Sequence, residues 1–112
     1  DPQGRILLFE RAVNWKGHIY DLEEEHRIPD EEKPLYVVYP DESGKWRVQA
    51  VPVNSESFES RRALPEPWRG IRDAELSELS GIPECVFVHQ SGFIGGNVTR
   101  NGALAMATRA LH

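Results

Sequence analysis

Apolar positions along this 112-residue chain change their spacing several times, and each change predicts a change of secondary structure. A short apolar run, RILLF from Arg5 to Phe9, reads as a strand. Trp15, His18, Ile19 and Leu22 then recur every three or four residues, the spacing of one helix face, with Asn14 placed to cap it. On that helix His18 reads as a packed residue, Gly17 costs about 1 kcal/mol relative to alanine, and Glu23 to Glu25 form a solvated end. Pro29 to Pro34 is a loop. LYVVYP and KWRVQAVPV are rich in β-branched and aromatic residues and flank Asp41 to Gly44, which predicts a hairpin with a four-residue loop. In its second strand Trp46, Val48 and Ala50 alternate with Arg47, Gln49 and Val51, so one face should be buried and the other partly wet.

The second half of the chain is punctuated differently. From Asn54 to Gly70 no period holds, and Pro65 and Pro67 forbid a strand interior. A loop of this length is usually functional or wrapped around something. Asp73 before AELSEL predicts a short helix from Ala74 to Leu79, capped by Asp73 and stopped at Gly81. CVFVH is a continuous apolar run and predicts a central strand. It empties into the glycine-punctuated stretch HQSGFIGGNVTRNGAL, read as a loop. The closing helix ALAMATRAL should turn Leu104 and Ala107, or Thr108 and Leu111, inward. The resulting order of elements predicts an α+β domain: a small mixed sheet of about four strands, covered by two main helices and one short one.

Charge qualifies this picture. The net charge of -5 argues against whole-domain attraction to nucleic acid. Its distribution is uneven: residues 1 to 44 hold 5 Lys/Arg against 11 Asp/Glu, and residues 45 to 112 hold 8 against 7. Arg61, Arg62, Arg69 and Arg72 could therefore form a local positive patch. The single cysteine, Cys85, excludes an internal disulfide, fits a reducing compartment and reads as a buried apolar residue. No apolar run approaches the roughly 20 residues that span a bilayer, so no membrane partner is expected. The chain starts at Asp1 without a methionine and reads as one domain of a longer polypeptide.

A strand, a glycine-rich turn and a helix N-terminus together make the layout of many phosphate sites, because unpaired backbone N–H groups there face an anion. The stretch matches neither GxxxxGK[ST] nor GxGxxG, and glycines at such a turn can equally serve close packing. Asn97 or Thr99 would cap the helix. Arg100 in its first turn opposes the helix dipole and asks for another reason to be there. His89 can be an acid–base group, a phosphate donor or a strand-end residue with a satisfied ring. No histidine and carboxylate positions have ligand spacing, so neither a metal site nor a catalytic residue is predicted in this chain.

The segments WKGHIYDLE, WRVQAVP, FESR, LPEPWRGIRD, SGIPECVFVH, SGFIGG and TRNGALAMA, in this order, closely resemble the C-terminal part of the Myg (melanocyte proliferating gene) family. The resemblance covers nearly the whole chain and departs at Asn14, where the family usually has proline, and at Asn101, usually acidic. It implies a DHH-type phosphoesterase acting as a 3′-to-5′ RNA exonuclease. Residues 1–112 would be its C-terminal substrate-binding domain, DHH-associated-domain-like in fold. A catalytic DHH domain upstream would hold divalent manganese or magnesium. The expected partners are single-stranded RNA and that DHH domain, and the expected location is intracellular, in nucleus and mitochondrion. The resemblance points to Gly95, Gly96 and Asn97 amides, with Ser91, Gly92 and Thr99, as the holder of the RNA terminus. Arg100 would neutralise charge, and His89 would belong to the same site. Arg61 and Arg69 would follow the next phosphates, or Arg69 would pack the WRG turn against the sheet, and Trp68 would stack a base or fill the core. The alternatives are a module for a nucleotide or other small phosphorylated ligand, and a protein-interaction domain.

Overall fold

A computed structural model describes residues 5–11, 15–54 and 56–111. Its elements are β1 (Ile6–Leu8), α1 (Trp15–Glu25), β2 (Tyr36–Pro40), β3 (Trp46–Ala50), α2 (Asp73–Ser80), β4 (Cys85–Val88), β5 (Ile94–Asn97) and α3 (Arg100–Leu111), with single 3₁₀ turns at Asp30–Glu32 and Glu66–Trp68. The class is α+β, as the pattern predicts. One mixed sheet runs in the order β1-β2-β3-β5-β4, with β1 parallel to β2 and every other pair antiparallel.

The strand alternation sorts side chains onto two faces. On one, Tyr36, Val38, Val48, Ala50, Cys85 and Val88 meet Leu76 of α2 and Ala103, Met106 and Ala107 of α3. On the other, Trp15 and Ile19 of α1 lie against Val37 and Val51, with Leu7, Tyr20 and Tyr39 at the margin. Strand β2 is thus covered on both sides, which is why LYVVYP reads as an unbroken apolar run. Gly81 ends α2 in the left-handed conformation its position predicts, and its N–H bonds back to Ser77. No helix among the described residues is long and apolar enough to cross a membrane.

Several expectations change. The sheet has five strands because the glycine stretch supplies β5, inserted between β3 and β4; this puts CVFV of β4 at the sheet edge and not at its centre. The hairpin loop runs from Asp41 to Lys45, closed by the Asp41 N–H donating to Lys45 O at 2.7 Å. Asp73 is the first residue of α2, with φ of 51°, and its side chain caps nothing. On α3 the buried residues are Gly102, Ala103, Met106 and Ala107, while Leu104 and Leu111 lie at the margin and Thr108 is exposed. Asn14, the expected cap of α1, lies outside the described residues.

The face of α1 also differs. His18 is exposed and Leu22 half exposed, whereas Glu23 is only 6% exposed. The cause is long-range: Arg61 donates from Nη1 to Glu23 Oε2 at 2.7 Å and from Nη2 to Oε1 at 2.5 Å. Arg61 Nη1 also donates to Pro34 O, and its guanidinium sits 5.4 Å from the Tyr20 ring centroid. A two-pronged, charge-assisted pair of this kind tolerates a burial that a lone carboxylate would not. Burial raises the Tyr20 phenol above its ordinary pKa, against the lowering pull of Arg61.

Candidate nucleic-acid interface

Strand β5 owes its glycines to crowding on both faces. A β-carbon on Gly95 would lie 3.1 Å from Phe87 O and 3.2 Å from Leu64 Cδ1 and Val88 Cγ2. One on Gly96, on the opposite face, would meet the Phe87 ring at 3.1 Å. Gly95, Gly96 and Asn97 are buried and paired with β3 on one side and β4 on the other. Their backbone therefore belongs to the ladder, where a solvent-facing loop was expected.

Beyond β5 the α3 N-terminus closes on itself. Thr99 is the capping residue: its Oγ1 accepts from the Gly102 N–H at 2.9 Å. Asn97 supports it from a fully buried position, accepting from the Thr99 N–H at 2.9 Å and hydroxyl at 3.1 Å, and donating to Pro83 O at 2.9 Å. The following Arg100 points outward and pairs with Glu10 at 3.0 Å.

The other sequence-predicted residues lie elsewhere. His89, Ser91 and Gly92 form the β4–β5 turn, at the far end of a four-residue strand, roughly 13 Å from Asn97. There His89 Nδ1 lies 2.9 Å from Ser91 Oγ and accepts from the Ser91 N–H at 3.1 Å, and its ring meets Phe93 edge-on. Gly92 has φ of 77°, and a β-carbon on it would lie 2.7 Å from Arg69 Nε. Arg69 in turn donates to Leu64 O, which fixes the WRG turn against the sheet. Trp68 and Cys85 are core residues. Arg61 is engaged by Glu23, and Arg72 lies beside Asp73. The predicted set thus falls into two clusters at opposite ends of β5, with Arg61 apart from both.

The register reveals a surface that sequence spacing did not. Arg47, Gly96 and Phe87 are direct cross-strand partners on β3, β5 and β4, on the face that carries α1 further along over β2. None of the three belongs to either apolar core cluster. Because Gly96 has no side chain, the Phe87 ring lies down over the strand, and the Arg47 guanidinium stands 5.9 Å from its centroid. Beside them Tyr39 donates its hydroxyl to Gln49 Oε1 at 2.7 Å, and burial raises the Tyr39 pKa. A recess of about 190 Å³ opens here, lined by Lys45, Trp46, Arg47, Phe87, Gly96 and the Asp41 end of the hairpin.

Asp41 organises this edge. Its Oδ1 accepts from the Ser43 hydroxyl at 2.6 Å and from the Ser43 and Lys45 N–H groups at 2.8 and 3.1 Å. Those bonds, led by the Ser43 hydroxyl, hold its pKa below the ordinary carboxylate value, and Arg47 lies 3.6 Å from its other oxygen. A flat aromatic, a cation over it and a second cation, Lys45, at the rim can stack a base and neutralise phosphate. Among the described residues no three His, Cys, Asp or Glu side chains come together as a metal would need.

The family model described as "Uncharacterised protein family (UPF0160)", MYG1_exonuc, matches residues 1–111. The chain belongs to the MYG1 family. It is 57% identical over 107 residues to the MYG1 protein C694.04c of Schizosaccharomyces pombe, covering 95% of this chain and 32% of that protein. It is 52% identical over 112 residues to the human MYG1 exonuclease, covering 99% and 29%. With the MYG1 protein YER156C of Saccharomyces cerevisiae the figures are 46% over 111 residues, 99% and 32%. The chain spans about a third of the length of these curated relatives. No solved structure matches it.

Proposed function

We propose that this MYG1-family chain is the nucleic-acid-holding domain of a 3′-to-5′ RNA exonuclease whose phosphodiester hydrolysis takes place on a metal-bearing DHH domain of the same polypeptide. The name of the human relative supports a nuclease, and the Myg resemblance supports the DHH assignment, RNA as substrate and the polarity. Nucleus and mitochondrion, and manganese or magnesium on the DHH domain, belong to the same proposal and rest on that resemblance. The described residues offer no metal cluster, so no step through a metal is assigned to them.

The observation that carries the reading within this chain is the half-buried pair of Arg47 and Phe87, the ring laid over Gly96. Phe87 supplies a π face for one base, and Arg47 and Lys45 meet the adjoining phosphates. Arg100 follows the same end of β5, three residues beyond Asn97, and its exposed pairing with Glu10 can be exchanged for phosphate. Thr99 serves by fixing the helix that presents Arg100. Ser91, Gly92 and His89, at the other end of β5, would meet nucleotides further along the strand.

Fluorescence anisotropy with end-labelled single-stranded RNA tests this. Arg47→Ala should lower the slope of log K against log salt by about one, and Phe87→Ala should cost about 1–3 kcal/mol of binding, with both variants folded by circular dichroism. Unchanged affinity and salt slope in both variants would place the RNA elsewhere.

A further inference from the structure

We propose that two copies of this chain associate about a two-fold axis, each seating Phe58 in the groove between α2 and α3 of the other. The proposal joins two features that the nucleic-acid patch does not use.

The first is an apolar anchor left in solvent. Phe58 is fully exposed, at 101%. Its segment is nevertheless braced: the Val53 N–H donates to Glu59 O at 2.8 Å, the Glu59 N–H to Ser57 Oγ at 2.9 Å, and Pro52 bridges Ser60. Glu56 and Glu59 flank Phe58 along the chain, and neither has a cationic partner among the described residues. Backbone bonds on either side of an exposed aromatic prepare a contact at reduced cost in conformational entropy.

The second is a receptor of matching chemistry. A groove of about 1560 Å³ runs between α2 and α3, with Pro65, Pro67, Leu79 and Leu104 among its apolar lining. Among the described residues its charged lining is Arg62 and Arg109. Arg62 donates to Leu111 O at 3.1 Å, and neither arginine has a carboxylate partner among the described residues. The groove is larger than the ~300–1,000 Å³ typical of small-molecule clefts and suits an inserted chain segment. An aromatic between two acids thus faces an apolar trough with two arginines. Phe58 and Arg62 are four residues apart, so anchor and groove adjoin, and a two-fold axis beside them lets both insertions form at once and closes the assembly at two.

Sedimentation velocity of the 112-residue chain over a concentration series tests this. The expected result is a monomer–dimer equilibrium that stops at two chains, and a dissociation constant raised about tenfold or more by Phe58→Ala, which leaves the exposed position's fold intact. The decisive arm uses two variants, E56R/E59R and R62E/R109E. Each alone should stay monomeric through like-charge contact, and an equimolar mixture should dimerise. A chain monomeric at every concentration, a dimer indifferent to Phe58→Ala, a mass growing past two chains, or a mixture that fails to pair would each overturn the proposal. So would loss of RNA affinity in R62E/R109E with the wild type monomeric, which would make the groove a nucleic-acid site.

Discussion

Gly102→Ala is the substitution for which intrinsic propensity and this structure make opposite forecasts. Alanine in place of glycine within a helix contributes up to about 1 kcal/mol. Here, however, the new β-carbon would stand 2.1 Å from Asn97 Oδ1 and 2.4 Å from its Nδ2. Asn97 is fully buried and held by three hydrogen bonds, to Pro83 O, the Thr99 N–H and the Thr99 hydroxyl. Displacing it loses roughly 1 kcal/mol per bond and leaves a buried amide without partners, at about 1–3 kcal/mol more. After the propensity gain, Gly102→Ala should destabilise by about 3–5 kcal/mol, a fall in Tm on the order of 10–20 °C for a domain of this size. Urea titration of the wild type, Gly102→Ala, Asn97→Ala and the double variant measures this as a cycle. Asn97→Ala removes the obstacle, so Gly102→Ala made in that background should be neutral or stabilising by up to about 1 kcal/mol. Additive effects, or a stabilised single Gly102→Ala, would refute the claim that α3 starts by locking a glycine against a buried asparagine.

Three further outcomes follow from the same geometry. Glu23→Gln should cost about 3–5 kcal/mol in chemical denaturation by leaving Arg61 buried without its carboxylate, whereas joint replacement of both residues by leucine should recover most of the loss. The Tyr36 phenol is pushed up to about 12 by burial; the unfolded chain ionises first above its ordinary value near 10, so stability should fall by about 2–3 kcal/mol as pH rises through that window, and Tyr36→Phe should flatten the profile. Asp41 runs the other way: its lowered pKa means the hairpin gains stability above the ordinary carboxylate range and loses it as pH falls through the lower folded value. Protection of the Ser43 and Lys45 amides, taken relative to the intrinsic exchange rate at each pH, should fall on acidification, and Asp41→Asn should weaken that dependence.

The parts of the fold legible in the sequence were those fixed by neighbours along the chain. Alternation in Trp46 to Ala50, the apolar run of β2 and the Gly81 stop are short-range signals, and each appears where the pattern puts it. Glu23 looks solvated in the sequence because its partner is 38 residues away, and nothing local to EEE marks one acid as buried. The glycines of β5 look like a loop since glycine weakens a strand, and only the Phe87 ring and Leu64, brought in by tertiary pairing, explain why side chains are excluded there. Thr99 as a cap was legible from its place before the helix; Asn97 behind it was legible as a polar residue at the right place, not as a buried support. The Arg47–Gly96–Phe87 patch depends on register across three strands, and the spacing of 47, 87 and 96 along the chain carries no trace of it.

The insertion of β5 between β3 and β4 has a consequence during synthesis. Ala50 ends β3 and Asn97 ends β5, 47 positions later (97 − 50), so β3 emerges from the ribosome long before its second neighbour exists. At about 5–20 residues per second the nascent chain carries that unpaired, Val-bearing edge for roughly 2–9 s. Until the last hairpin arrives, it is an adhesive border open to other nascent chains or to chaperones.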